Sequence, residues 1–221
     1  MRTPRGVEHS YGAEVARKCV HLSSLSIPLI YAFISKETAL AVLVPLTLAF
    51  LAADLARFRV PALGEWYHGW FGWMLRPHER DGGIRRLNGA TWVLLSATLC
   101  VLVFPKLIFL TAFSILIVSD TSAALAGRKF GRHPFLRKTL EGAAAFFLSA
   151  LAVVALSPKI LHLPLEYLIG GIGALVGTVV ESVSIGVDDN LSIPVTIGAM
   201  LWLLYALMMP GADVFLLDSI R

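Results

Sequence analysis

Seven apolar runs alternate with polar stretches along the chain, at about residues 22–34, 39–53, 89–104, 107–126, 142–156, 167–187 and 191–209. Long unbroken apolar runs predict helices that cross a bilayer, where every backbone polar group must be satisfied within the segment. Several runs are shorter than the ~20 residues of a straight span, so they extend into their polar flanks or cross with little tilt. The first is the least regular, with Pro28 inside it and Ser23, Ser24, Ser26 and Ser35 in or beside it. The expected fold is all-α, a polytopic membrane helix bundle of about seven transmembrane helices in a single domain spanning 1–221, without internal repeats.

One further segment, E-W-Y-H-G-W-F-G-W-M-L from Glu65, is too short and too aromatic to span. Trp66, Trp70 and Trp73 recur at helical spacing. The segment, about 62–76, is expected to be an interfacial helix at headgroup level. It reads as a plain anchor or as a gate for a lipid.

Composition agrees. Of 221 residues, 57% are apolar and 15% charged, against about 25% charged in soluble domains. Mean hydropathy is +0.74. The net charge of +4 does not suggest nucleic acid, because the cations gather in the loops between spans. Cys19 and Cys100 lie far apart, without disulfide or metal-ligand spacing. The first run follows a polar stretch of about twenty residues and has no small-residue cleavage site, so no signal peptide is expected.

The cations also orient the spans. Arg2, Arg5, Arg17 and Lys18 precede the first. Arg57, Arg59, Arg76, Arg80, Arg85 and Arg86 lie between the second and third. Arg128, Lys129, Arg132, Arg137 and Lys138 lie between the fourth and fifth. Only Lys36, Lys106, Lys159 and Arg221 fall on the other side. The expectation is an integral protein of the cytoplasmic membrane, with its N-terminus inside and its C-terminus outside.

On this topology the unusual polar residues collect at the cytoplasmic face. Odd-numbered spans begin there, at R-K-C-V-H, N-G-A-T, K-T-L-E-G and D-D-N-L-S-I-P. Asn88, Thr139 and Asn190 are N-cap residue types, and helix N-termini attract phosphate. Even-numbered spans end there, carrying Asp54, Asp120 and Glu181. A carboxylate within a span is costly and marks a candidate site. Arg57, three residues on, is placed to serve Asp54. Gly170, Gly173, Gly177 and Glu181 share one helix face, so Glu181 is expected to point into the bundle.

Asp120, Glu181, Asp188 and Asp189 form an oxygen-only set, without histidine or cysteine, which suits Mg²⁺ bound together with substrate phosphates. Acids, a basic loop and helix N-termini are what a nucleoside triphosphate with Mg²⁺ requires. A D-D-N stretch between spans also fits a solvated turn, and His21 fits an interfacial histidine. No Walker-type loop, kinase glycine loop or zinc signature occurs.

S-D-T-S-A-A-L-A-G-R-K-F-G from Ser119, K-T-L-E-G from Lys138 and D-D-N-L-S-I-P from Asp188, together with E-V-A-R-K-C-V-H from Glu14, resemble the polytopic CTP-dependent lipid-alcohol kinases: dolichol kinase, phytol kinase and CTP-dependent diacylglycerol kinase. The short chain is most similar to the compact prokaryotic or phytol-kinase-like members. The resemblance implies transfer of the γ-phosphoryl of CTP to a membrane lipid hydroxyl, on an isoprenoid alcohol or diacylglycerol, with Mg²⁺. It implies catalytic roles for Asp120, Lys138, Glu141, Asp188 and His21. Together with the residue pattern, it assigns nucleotide contacts to Arg17, Lys18, Arg128, Lys129, Lys138, Thr139, Gly142 and Asn190, and the metal to Asp120, Glu181, Asp188 and Asp189, with Lys129 and Glu181 resting on the pattern alone. The implied partners are CTP, a membrane lipid alcohol and the bilayer, without nucleic acid; an oligomer is compatible. Two alternatives stay open: a phosphatidate-type cytidylyltransferase, which transfers CMP and has a different terminal signature, and an ion-coupled transporter.

Overall fold

The computed structural model describes residues 11–60, 62–65, 69, 87–183 and 186–219. Most of the expected interfacial helix at 62–76 lies outside these residues. The described chain is helical apart from one two-stranded hairpin, and forms the expected all-α bundle. The helices are α1 (Tyr11–Ser23), α2 (Ser26–Tyr31), α3 (Lys36–Arg59), α4 (Gly89–Val103), α5 (Lys106–Phe130), α6 (Leu140–Leu156), α7 (Pro164–Val183) and α8 (Asp189–Met208), followed by a 3₁₀ turn (Leu216–Ser219). The strands β1 (Pro134–Phe135) and β2 (Lys138–Thr139) join α5 to α6. By length and composition α3, α5, α7 and α8 can each cross a membrane, while α4 and α6 are shorter apolar helices.

The first expected span is not one helix. The chain breaks between α1 and α2, where Ser24 N–H bonds the His21 carbonyl and Leu25 N–H the Leu22 carbonyl, each at 3.0 Å. Pro28 has no N–H to give to a continuous helix. It is tolerated in the first turn of a new one, and that is where it sits. The consequence is an amphipathic α1 that begins well before the apolar run and carries the E-x-x-R-K-x-x-H residues along its own length.

At the centre is α5. Ile108, Phe109, Phe113, Ile115, Leu116 and Ile117 are wholly buried. Phe109 stacks on Phe113 with ring centroids 5.1 Å apart, and Tyr31 meets Phe109 edge-on at 5.2 Å. Helices α1, α2, α6 and α8 pack around α5, and α3 packs mainly on α4, where Thr47 and Thr98 share a 2.8 Å hydrogen bond.

The small-residue face of α7 is packed as expected. A Cβ on Gly177 would lie 2.6 Å from Ile197 Cδ1, and one on Gly170 would lie 2.4 Å from Val154 Cγ1. Gly177→Leu is therefore expected to separate α7 from α8 and to lower the detergent melting temperature by several degrees, at roughly 1–3 kcal/mol of overpacking. A melting curve indistinguishable from the parent would mean that this contact is not tight.

Buried charges at the far end of the bundle are satisfied by structural partners. Lys106 gives its ammonium to the Ile34 carbonyl at 2.9 Å, and its N–H to Asp218 at 3.1 Å. Glu166 accepts from the N–H groups of Ile160, Leu161 and Leu163 and from the Tyr205 hydroxyl. A cavity of about 10 Å³ beside Lys159, Glu166 and Tyr205 has room for about one water. These groups close a loop and cap helices. The other end is arranged differently.

Candidate active site

Four side chains of α1 recur at helical spacing and face α5. Lys18 Nζ lies 2.5 Å from Asp120 Oδ2, and His21 Nε2 lies 3.4 Å from the same oxygen. Asp120 is ten residues short of the end of α5, about 15 Å along the axis. One turn before Lys18, Glu14 is 3% exposed. Its carboxylate accepts from Arg17 on its own helix and holds Arg128 of α5 at 3.0 Å.

The hairpin completes the cluster. β1 and β2 pair antiparallel, Pro134 opposite Thr139 and Phe135 opposite Lys138. Arg137 N–H donates to the Ser182 carbonyl at 3.1 Å, fixing the hairpin against the end of α7. This places Lys138 Nζ 2.7 Å from Glu181 Oε1 and 3.1 Å from Asp189 Oδ2. Burial alone would lower the pKa of Lys138, but Asp189 and Glu181 outweigh it and hold the ammonium charged above the ordinary lysine range. Lys138 also lies near enough to Asp120 to act on it electrostatically, so the two groups form one polar cluster. Glu181 points inward as expected, at 3% exposure. Its cation comes from 43 residues away in sequence.

A close helix approach supports this geometry. A Cβ on Gly142 would lie 3.2 Å from the Ala123 carbonyl and 3.5 Å from Gly127 Cα, so α5 and α6 touch backbone to backbone beside Thr139. Thr139 caps α6 by accepting from Gly142 N–H at 3.2 Å, and Asn88 caps α4 through Thr91 N–H at 2.8 Å. The cap of α8 is Asp188 and not Asn190. Asp188 Oδ1 accepts from Asn190 N–H at 3.0 Å and from Asn190 Nδ2 at 2.7 Å. Both are capping residue types, and the one whose carboxylate reaches forward over the first turn takes the role.

Among the described residues, no three His, Cys, Asp or Glu side chains converge as a ready metal cage. Lysines stand between the acids. The donor set still suits a hard divalent cation, being carboxylates alone. One buried oxygen, Asp189 Oδ1, has no hydrogen-bond partner. Asp120, Glu181 and Asp189 are brought together around the lysines, while Asp188 is spent on its cap.

No family model and no solved structure matches the chain. It is 30% identical over 185 residues to the uncharacterized protein RP860 of Rickettsia prowazekii, covering 83% of this chain and 90% of that one. It is 26% identical over 209 residues to the CTP-dependent diacylglycerol kinase 1 of Schizosaccharomyces pombe, covering 86% and 93%. With the CTP-dependent diacylglycerol kinase 1 of Saccharomyces cerevisiae it shares 30% identity over 213 residues, covering 82% and 70%. The chain belongs to the CTP-dependent lipid kinase family. With its apolar helices, that makes it an integral membrane protein.

Two residues expected at the site, Glu141 by resemblance and Lys129 from the basic loop, are placed elsewhere. Glu141 turns to the hairpin, 2.7 Å from His133 Nδ1, and accepts from His133 N–H at 3.3 Å; none of its hydrogen bonds reaches the lysine–carboxylate cluster. Lys129 is exposed and lies over the Phe130 ring at 5.3 Å. Conversely, sequence reasoning gave Glu14 no role, although it buries the carboxylate that joins Arg17 to Arg128. Its one local signal is the three-residue spacing to Arg17 on an amphipathic helix. Asp54, outside the cluster, is held by Arg57 at 2.7 Å as expected, and also by Asn88 N–H at 2.8 Å and Thr91 Oγ1 at 2.7 Å.

Proposed function

We propose that this kinase transfers the γ-phosphoryl group of CTP to the hydroxyl of a membrane lipid alcohol at the cytoplasmic face. The observation that carries the reading is the part-buried lysine–carboxylate cluster, in which Lys18 holds Asp120 and Lys138 bridges Glu181 and Asp189. Diacylglycerol is the first substrate to test, because two relatives carry it in their names. Isoprenoid alcohols of the phytol, polyprenol or dolichol type come second, on the motif resemblance.

On this reading Lys18 and Lys138 exchange a carboxylate for phosphate oxygens when the nucleotide arrives. Arg17 and Arg128, held by Glu14, offer their remaining N–H groups to the same chain. The N-terminus of α6 adds the positive end of a helix dipole. Asp189 and Glu181, with Asp120, would hold Mg²⁺, and the ion would supply neutralisation of charge on the transferring phosphoryl group. The lipid hydroxyl reaches the cluster sideways from the bilayer, and a carboxylate of the cluster or His21 takes its proton.

The test uses purified protein in detergent with Mg²⁺, a pool of lipid alcohols, and CTP labelled at either the α- or the γ-phosphate. Label from the γ position in the lipid fraction, lost on chelation of the metal, is the expected result. Transfer of the α label after addition of phosphatidic acid would replace the reading with a cytidylyltransferase. Transfer of neither would overturn it.

A further inference from the structure

The hairpin between α5 and α6 has a tip that the proposed reaction does not use. Leu136 sits there with φ +51° and is 60% exposed. A left-handed backbone suits glycine or asparagine at a hairpin turn and disfavours a leucine. In water this leucine would be unfavourable twice, for its backbone and for its bare side chain. Phe130 at the end of α5 and Leu140 at the start of α6 are also exposed, at 59% and 50%. The many exposed apolar residues along α3 are what lipid tails around a span explain. Leu136 lies past the ends of both α5 and α6, where tails alone do not explain it.

Cations surround these apolar residues. Lys129, Arg132 and Arg137 are exposed on the same turn. The nearest acid on it, Glu141, is engaged by His133. Apolar tips among lysines and arginines are the composition of a segment seated at an anionic membrane surface, where the apolar groups pass the headgroups and the cations stay with the phosphates.

We propose that the 130–140 turn is seated in the headgroup layer of an anionic leaflet. Leu136 and Phe130 dip below the phosphates, and Lys129, Arg132 and Arg137 lie among them. The second strand of the same hairpin carries Lys138 and Thr139, so the lipid surface helps to set where those two groups stand. The proposal rests on the exposed surface alone and survives or fails independently of the reaction.

The test places a nitroxide on Leu136→Cys in a Cys19→Ser background. The remaining cysteine, Cys100, is 1% exposed. The full chain is reconstituted in phosphatidylcholine vesicles, with or without phosphatidylglycerol. Power saturation then compares collision with oxygen, which enters the bilayer, and with a water-soluble nickel chelate. The expected result is severalfold shielding from nickel with phosphatidylglycerol present, reduced by Lys129→Gln combined with Arg132→Gln. A nickel-accessible label in those vesicles overturns the proposal, as does equal depth with and without the anionic lipid. Leu136→Asn supplies a second readout. Asparagine tolerates the backbone, so the melting temperature in detergent should hold or rise; a fall would mean that Leu136 packs within the protein, and would also overturn the proposal.

Discussion

Asp120→Asn will abolish lipid phosphorylation and lower the melting temperature, and adding Lys18→Met will restore the melting temperature without restoring activity. Lys18 is buried against Asp120 at 2.5 Å. Removing one partner of a buried pair leaves the other charge uncompensated, which costs roughly 3–5 kcal/mol, whereas replacing both by groups of similar size is close to neutral. The Asp120 side chain keeps 14% exposure, so water tempers the penalty and the lower part of that range applies. For a chain of this size the shift is on the order of 10 °C. Loss of a charged group from the reacting centre is expected to cost about 10³-fold in turnover. Thermal denaturation and γ-label transfer, measured on the single and double variants, separate the two effects. An active double variant would reduce the pair to a structural tie and remove Asp120 from the mechanism.

The second large effect is expected at Gly131, the residue that ends α5. A Cβ there would lie 2.2 Å from the Gly127 carbonyl oxygen and 2.8 Å from Thr139 Cγ2. The first of these atoms is backbone and has no rotamer to change, so Gly131→Ala must displace the chain that enters the hairpin. The bundle helices do not depend on that chain. Lys138 does, because its distances to Glu181 and Asp189 are fixed by where the hairpin docks. A displacement of about 1 Å at a reacting centre costs on the order of 10² in rate, while overpacking costs only about 1–3 kcal/mol. The expected outcome is about a hundredfold drop in turnover with a folded, membrane-inserted protein. Unchanged turnover would mean that the hairpin is not held in the register described.

The helices were legible because hydropathy measures what a bilayer measures. The run at 107–126 sits within α5 and the run at 191–209 ends one residue past α8 for that reason. The run at 22–34 misled because hydropathy counts side chains and ignores the missing N–H of Pro28. The inward turn of Glu181 was readable from Gly170, Gly173 and Gly177, a local pattern. Its partner was not, since nothing near Glu181 in sequence announces Lys138. Likewise Glu14 carries no mark of Arg128, which reaches it from another helix. Local spacing carries caps and faces, while pairing across the bundle depends on tertiary packing that no single stretch encodes. Asn190 shows the limit within one turn, where two capping types compete and geometry decides between them.

Asp54 has a consequence of another kind. Its carboxylate, 1% exposed, gathers Arg57 from the end of α3 with Asn88 and Thr91 from the start of α4. Thr47 repeats the tie further along the same two helices. These bonds register the two helices directly, across 34 residues of sequence between Asp54 and Asn88. Two pieces divided between α3 and α4 would still present these complementary groups to each other.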